Sequence, residues 1–295
     1  MNPYMSYQRE GTRDKIACTK IIVEMDEAHH IISRREEKRV RYLTAYHTDI
    51  GTKKSTNQDS LVVMQAMCDC GPVLMASVCD GLGGLKKGEV ASAAAVKALS
   101  DWFGYILPGV LENGLKIADF RESIEMLVGT LNANIHQYGR ANGCELGTTL
   151  EMLLLVAGKY YIFHVGDCRT YYLGGAMIQL TKDQTYVQQQ MDLGSMTPQQ
   201  AKVDRMRNTL LQCIGASEKI QIDFMEGSFR AGDGFLICCD GFRHVVTRQE
   251  IEAEIRTGGR WDEAGMKNAL VRLTELDKQR GETDNITSVL VAAVE

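Results

Sequence analysis

The feature that most constrains this chain is a pattern used twice: an apolar run that stops at an aspartate followed by glycine, in VLMASVCDG over residues 73–81 and GFLICCDG over residues 234–241. Val73 to Cys79 is short, apolar and partly β-branched, as a strand buried on both faces is, so Asp80 emerges at a strand end. Gly81, Gly83 and Gly84 then leave the turn free to bring its carbonyls and amides close to a ligand. A carboxylate beside an exposed carbonyl suits a hard cation. Asp240 with Gly241 repeats the design, Asp167 follows Gly166 after the apolar YIFHV, and Asp284 precedes Asn285 at the mouth of a last strand. One Asp-Gly pair is usually only a turn, because both residues tolerate turn geometry. Two such pairs at buried strand ends, with two further strand-end acids, imply more, since clustered carboxylates repel unless cations neutralise them. Magnesium or manganese is the economical explanation, as these ions take oxygen ligands and keep several waters.

The rest of the chain alternates in blocks. LTAYHTDIG, the polar GTKKSTNQDS with Lys53, Lys54 and Asp59, and LVVMQAM read as strand, turn, strand, a hairpin. After Gly88, the stripe Val90, Ala94, Ala98, Trp102 beside Ala91, Ala95, Leu99, Phe103 makes one broad apolar helix face, and a second amphipathic helix runs from Ile117 to Tyr138. TLEMLLLV, YYIFHVGD and RTYYLGG read as an antiparallel meander, residues 188–208 as an irregular or helical flap, and KIQIDF and GFLICCDGF as two further strands. A helix from Glu263 to Arg280, stopped at Gly281, precedes the final strand ITSVLVAAV. Hairpins rather than βαβ alternation indicate an α+β fold with antiparallel sheets between helices. Residues 1–40, with one apolar group at Ile21, Ile22 and Val23, read as an N-terminal extension, either a mobile arm or an added strand.

Composition narrows the function. A net charge of −5 provides no basic excess for nucleic acid or an anionic membrane. The basic residues Arg34, Arg35, Lys38, Arg39 and Arg41 are interleaved with Glu36 and Glu37, as on a solvated face. Nine cysteines at irregular spacing, with no apolar leader and no run of membrane-spanning length, point to a reducing, cytoplasmic setting. Cys68, Cys70, Cys238 and Cys239 lack paired C-x-x-C knuckles and read as small core residues. His164 reads as a satisfied core residue, Arg169 as facing solvent or a neighbouring carboxylate, and His29 with His30 as part of a polar arm rather than a metal pair.

In order, TDIGTKKSTNQDS, VCDGLGGLKKGEVAS, GTTL, FHVGDCR, LTKDQT, CCDGF and TDNIT resemble the successive motifs of the metal-dependent type 2C serine/threonine protein phosphatases, the PPM family, in its bacterial form. The resemblance implies a four-layer sandwich, two antiparallel β-sheets flanked by pairs of α-helices, with residues 41–295 as the catalytic domain and a two-metal centre at one end. By position, Asp80 bridges both metals, Asp240 and Asp284 complete one ion's shell, the Gly81 carbonyl binds the other ion and Asp59 holds that ion's waters. Asp167 matches an acid that with Asp240 serves a third, weaker metal, and Lys54 stands where the family has a phosphate-binding arginine. Asp80, Asp240, Asp284 and Lys54 are thus the expected catalytic set. Two ions about 3.5–4 Å apart lower the pKa of a water and clamp an in-line displacement at phosphorus, and no phosphoenzyme is needed.

The chain departs from the pattern around that core. Lys54 lacks the bidentate fork of arginine, Leu82 stands where some members carry a histidine, Gln184 where a histidine follows the Asp of LT-x-D, and His244 where an acid supports the third metal. A cysteine-based phosphatase is excluded, since no cysteine is followed by arginine six residues on. The implied partners are phosphorylated proteins, targets of a serine/threonine kinase, met by a monomer. The rival from another class is a catalytically weak phosphoprotein-binding or regulatory module on the same fold.

Overall fold

The computed structural model describes residues 22–25, 40–82, 87–256 and 261–295. His29, His30, the basic residues from 34 to 39, and Gly83 and Gly84 lie outside the described residues. Two sheets carry the fold. One runs in the order β1 (Ile22–Met25), β3 (Ser60–Cys68), β4 (Gly71–Cys79), β5 (Leu150–Val156), β6 (Lys159–Val165), β9 (Asp223–Ser228). The other runs β2 (Arg41–Asp49), β11 (Ile286–Val294), β10 (Gly234–Cys238), β7 (Arg169–Leu173), β8 (Met177–Gln179). Neighbours are antiparallel except at one edge, where β1 lies parallel to β3 with Ile22 opposite Val63.

Strand alternation explains why the first sheet reads as nearly continuous apolar sequence. Leu61, Val63, Leu74, Ala76, Leu153 and Ile162 belong to the core shared with the second sheet. Their neighbours Val62, Met64, Val73, Met75, Met152 and Phe163 belong to the core under α1 (Gly88–Tyr105) and α3 (Ile117–Asn142). Both faces of the sheet are covered, so both are largely apolar, and Glu151 and His164, buried in adjacent strands, bond to each other. On the far side, Met266, Leu270 and Leu273 of α7 (Glu263–Gln279) and Ile251 and Ile255 of α6 (Arg248–Arg256) join the inter-sheet core. The architecture is the four-layer α+β sandwich. Short helices α2 (Leu107–Glu112), α4 (Tyr186–Asp192) and α5 (Pro198–Val203) complete the described elements, the last two making the stretch after residue 185 a helical flap.

Three expectations need correction. The strands flanking GTKKSTNQDS are not a hairpin: β2 pairs with β11 from Arg41↔Val294 to Asp49↔Ile286, while β3 pairs with β4 from Ser60↔Cys79 to Cys68↔Gly71. The polar stretch from residue 50 to residue 59 is longer than a usual hairpin loop of about 2–5 residues, and it crosses from one sheet to the other. The meander also breaks, since β5 and β6 pair but β7 leaves to lie against β10. Both misreadings have one cause: successive apolar strands satisfy the same local pattern whether they pair with each other or with distant partners. Finally, Cys68 and Cys70 are not core residues but flank the exposed β3–β4 turn with sulfurs 2.7 Å apart, whereas Cys238 and Cys239 are fully buried as expected.

Phe120 of α3 anchors the outer core, with its ring 5.3 Å from Tyr161 and 5.1 Å from Phe163, both edge-on. It is fully buried. Phe120→Ala is expected to cost about 3–5 kcal/mol, read as a lower urea midpoint at unchanged slope; a loss under about 1 kcal/mol would mean that α3 is not packed as described.

Candidate active site

Register alone gathers the strand-end acids. Asp59 directly precedes β3 and Asp80 directly follows β4, and these ends adjoin because Ser60 pairs with Cys79. Val78 lies opposite Glu151, and Leu150 lies opposite Val165, which brings Asp167 to the same edge. In the second sheet Cys238 pairs with Ser288, so Asp240 beyond β10 and Asp284 before β11 share one end.

Hydrogen bonds fix these turns. The Asp80 amide donates to Thr149 Oγ1 (2.9 Å), and the Asp80 carbonyl accepts from the Thr149 amide (2.9 Å) and Thr148 Oγ1 (3.0 Å), which gives the GTTL segment its purpose. Asn285 joins the two sheets: its Oδ1 accepts from the Gln58 amide (2.9 Å) while its Nδ2 donates to the Ile50 (2.9 Å) and Thr56 (3.2 Å) carbonyls. Glycine is required at two contacts, since a Cβ on Gly81 would lie 2.5 Å from the Gln58 oxygen and one on Gly241 would lie 2.1 Å from the Asn285 oxygen.

The electrostatics register the convergence. Burial pushes the Asp80 carboxyl well above the usual carboxylate range, and the charges of Asp59, Asp240, Asp167 and Asp284 push it further. Burial raises Asp59 to about 7; Asp240 and Asp284 add to this, while Thr287 and Cys239 beside it draw the value down. Neither meets hydrogen-bond geometry: both Asp59 carboxylate oxygens, and Oδ1 of Asp240, are buried without a partner. Asp167 is raised to about 7 by burial and then by Asp240, against the pull of Arg243. Lys54 Nζ stands 2.8 Å from Asp284 Oδ1. Burial pushes its pKa down, but that bond and the charges of Asp284, Asp80 and Asp240 outweigh burial, so the ammonium is held more firmly.

The orphaned carboxylate oxygens of Asp59 and Oδ1 of Asp240 fit a divalent cation, which supplies the missing partner. The carboxylates do not close on one point: among the described residues no three His, Cys, Asp or Glu side chains are grouped tightly enough to hold an ion alone. Such spacing accords with ions that retain much of their water shell.

Among the neighbours, Arg243 and Glu282 escaped the sequence, while Arg169, His244 and His164 were read from it. Arg169 takes the carboxylate option, gripping Asp183 through Nε–Oδ1 and Nη2–Oδ2, both 2.7 Å. Arg243 Nη2 donates to the Asp167 carbonyl (2.8 Å) and to Asp183 Oδ2 (3.3 Å). His244 places Nε2 3.3 Å from Asp240 Oδ2 and Nδ1 3.2 Å from Glu282 Oε2, while Glu282 Oε1 accepts from the Asp284 amide (2.8 Å). The adjacency of Arg243 and His244 to the Asp240-Gly241 turn was the available signal. His164 is only half satisfied, with Nδ1 2.5 Å from Glu151 Oε2 and its Nε2 buried without a partner.

Comparison with known proteins agrees with this geometry. The family model described as protein phosphatase 2C matches residues 50–274. The serine/threonine phosphatase stp of Listeria innocua is 30% identical over 252 residues, covering 83% of this chain and 94% of that protein. Protein phosphatase PhpP of Streptococcus pneumoniae is 29% identical over 248 residues, covering 83% and 95%. Among solved structures, the S. agalactiae serine/threonine phosphatase superposes with a TM-score of 0.74 at 25% identity, covering 86% of this chain and all of that one. The catalytic domain of the serine/threonine phosphatase PstP, solved with two manganese ions, gives 0.68 at 27% identity, covering 87% and 99%. The chain therefore belongs to the protein phosphatase 2C family, a metal-dependent family, and is an enzyme of the protein serine/threonine phosphatase class. Among the described residues no helix is long and apolar enough to cross a membrane.

The raised carboxyls set a pH dependence for the metal-free protein. Asp59 and Asp167, near 7 when folded and about 3.9 when unfolded, keep protons in the folded state that the unfolded chain releases. Stability therefore falls as pH rises through that window. In EDTA the melting temperature should be lower at pH 8 than at pH 5.5, the gap narrowing in Asp59→Asn, and manganese should raise it more at pH 8. A gap unchanged by Asp59→Asn would show that this carboxyl is not held as described.

Proposed function

We propose that the chain hydrolyses phosphoserine and phosphothreonine in proteins by a water activated at a centre of two divalent cations, magnesium or manganese. Asp59, Asp80, Asp240, Asp284 and the Gly81 carbonyl would hold them. When bound, the cations make a water nucleophilic near neutral pH and offset charge on the phosphoryl oxygens. The observation that carries this reading is the set of strand-end carboxylates acting on Asp80, with the oxygens of Asp59 and Oδ1 of Asp240 buried and unpartnered. The two manganese ions of the PstP catalytic domain support it by likeness.

The chain's own residues divide the remaining work. Thr148 and Thr149 hold the Asp80 backbone, and Asn285 locks the 50–59 loop to β11, so the acids keep their positions across two sheets. Lys54, at the rim beside Asp284, is the group placed to pair with a substrate phosphate, as a point charge rather than a fork. Leu82 offers no proton, so none passes to the departing serine or threonine oxygen from that position. Residues 41–295 form the catalytic domain in this reading, with 1–40 an extension. The substrates are products of a serine/threonine kinase, met by a monomer in the cytoplasm, a setting that suits the free thiols of the described cysteines.

Asp80→Asn and Asp240→Asn should each abolish manganese-dependent hydrolysis of an aryl phosphate and of a phosphothreonine peptide while remaining folded. Wild-type protein without such turnover would leave the phosphoprotein-binding module instead. Lys54→Met should raise KM for the peptide about 10- to 100-fold, the size of a lost charge-assisted hydrogen bond, with a smaller change in kcat. An unchanged KM would remove Lys54 from substrate binding.

A further inference from the structure

The acids at the end of the sandwich do not share one electrostatic situation. On one side, no described side-chain cation is in hydrogen-bond contact with Asp59 or Asp80, and both Asp59 oxygens are orphaned among the described residues. On the other, Asp167 sits among the chain's own cations. Arg243 places Nη2 2.8 Å from the Asp167 carbonyl and 4.0 Å from its carboxylate Oδ2. The side chains of Arg243 and Asp167 are only 11% and 10% exposed, so solvent screens the pair little. Arg169 already grips Asp183 through two bonds of 2.7 Å. With Arg243 also touching Asp183 at 3.3 Å, two guanidinium groups face two carboxylates, Asp183 and Asp167, and their charges cancel. Next to them His244 stands 3.3 Å from the outer oxygen of Asp240, Oδ2, leaving the inner oxygen, Oδ1, unpartnered.

We infer that Arg243, a positioning residue, takes the cation position at Asp167, so that Asp167 is not a metal ligand in this chain and the site holds two ions with no third. The inference rests on the two-cation reading above and concerns only how many ions the acids accept. A dication at Asp167 would face the Arg243 guanidinium across about the span of an ion pair and would have to displace it, whereas the side with Asp59 and Oδ1 of Asp240 offers oxygens with nothing to displace.

The test is manganese binding by the full chain, measured by equilibrium dialysis and metal analysis at saturating manganese. Wild type and Asp167→Asn should each hold two ions per chain, as should Arg243→Lys, which keeps the charge. Arg243→Gln should gain a third, weaker ion. Three ions in the wild type, the loss of one in Asp167→Asn, or a folded Arg243→Gln that stays at two would overturn the assignment of Arg243 alone. Fewer than two ions in the wild type would instead sink the two-cation reading from which it starts. Should Arg243→Gln fail to fold, Asp167→Asn still decides.

Discussion

Repulsion among carboxylates at one end of the sandwich is the constraint on which the rest of the structure depends. Asp59, Asp80, Asp167, Asp240 and Asp284 converge there, and burial together with the neighbouring carboxylates penalises the charged forms of Asp59, Asp80 and Asp167. Left alone, such a group would spread or take up protons. It is held by backbone ties that cannot relax singly, with Asp80 fastened to the GTTL strand end and Asn285 bonded to two carbonyls and an amide of the 50–59 loop. The sandwich supplies the rigidity, since both of its cores are apolar and closely filled.

The elements were legible where pattern and burial coincide. α1, α3 and α7 carry apolar stripes at helical spacing, and β4, β10 and β11 are apolar runs with clear ends, so they fall close to where periodicity puts them. Pairing was not legible. β2 and β3 adjoin in sequence yet enter different sheets, and the residue that holds the turn between them, Asn285, touches that turn in space but lies more than two hundred positions away along the chain. The helix α6 was missed because its nine residues bury only Ile251 and Ile255, too few to mark a period.

At the site, sequence located the acids, Lys54 and His244, but not Arg243 and Glu282. One aspartate at the end of an apolar run is usually only a turn residue, but four such strand-end acids in one chain announce themselves. An arginine three residues later does not, because its long side chain can reach either solvent or a buried acid, and only the placement of Asp183 and Asp167 decides. Glu282 was equally silent. It gains meaning from the turn that sets one oxygen against the Asp284 amide and the other against His244, and that turn is a product of the whole fold.

The seat of β11 between β2 and β10 bears on how the protein is born. β2 and β10 are both synthesised before β11, so until it arrives both neighbours wait with open hydrogen-bonding edges. Asp284 and Asn285 arrive with that final strand, and they join the loop that carries Asp59 to the rest of the centre. The strand-end acids of the two sheets are therefore brought together only once β11 has docked.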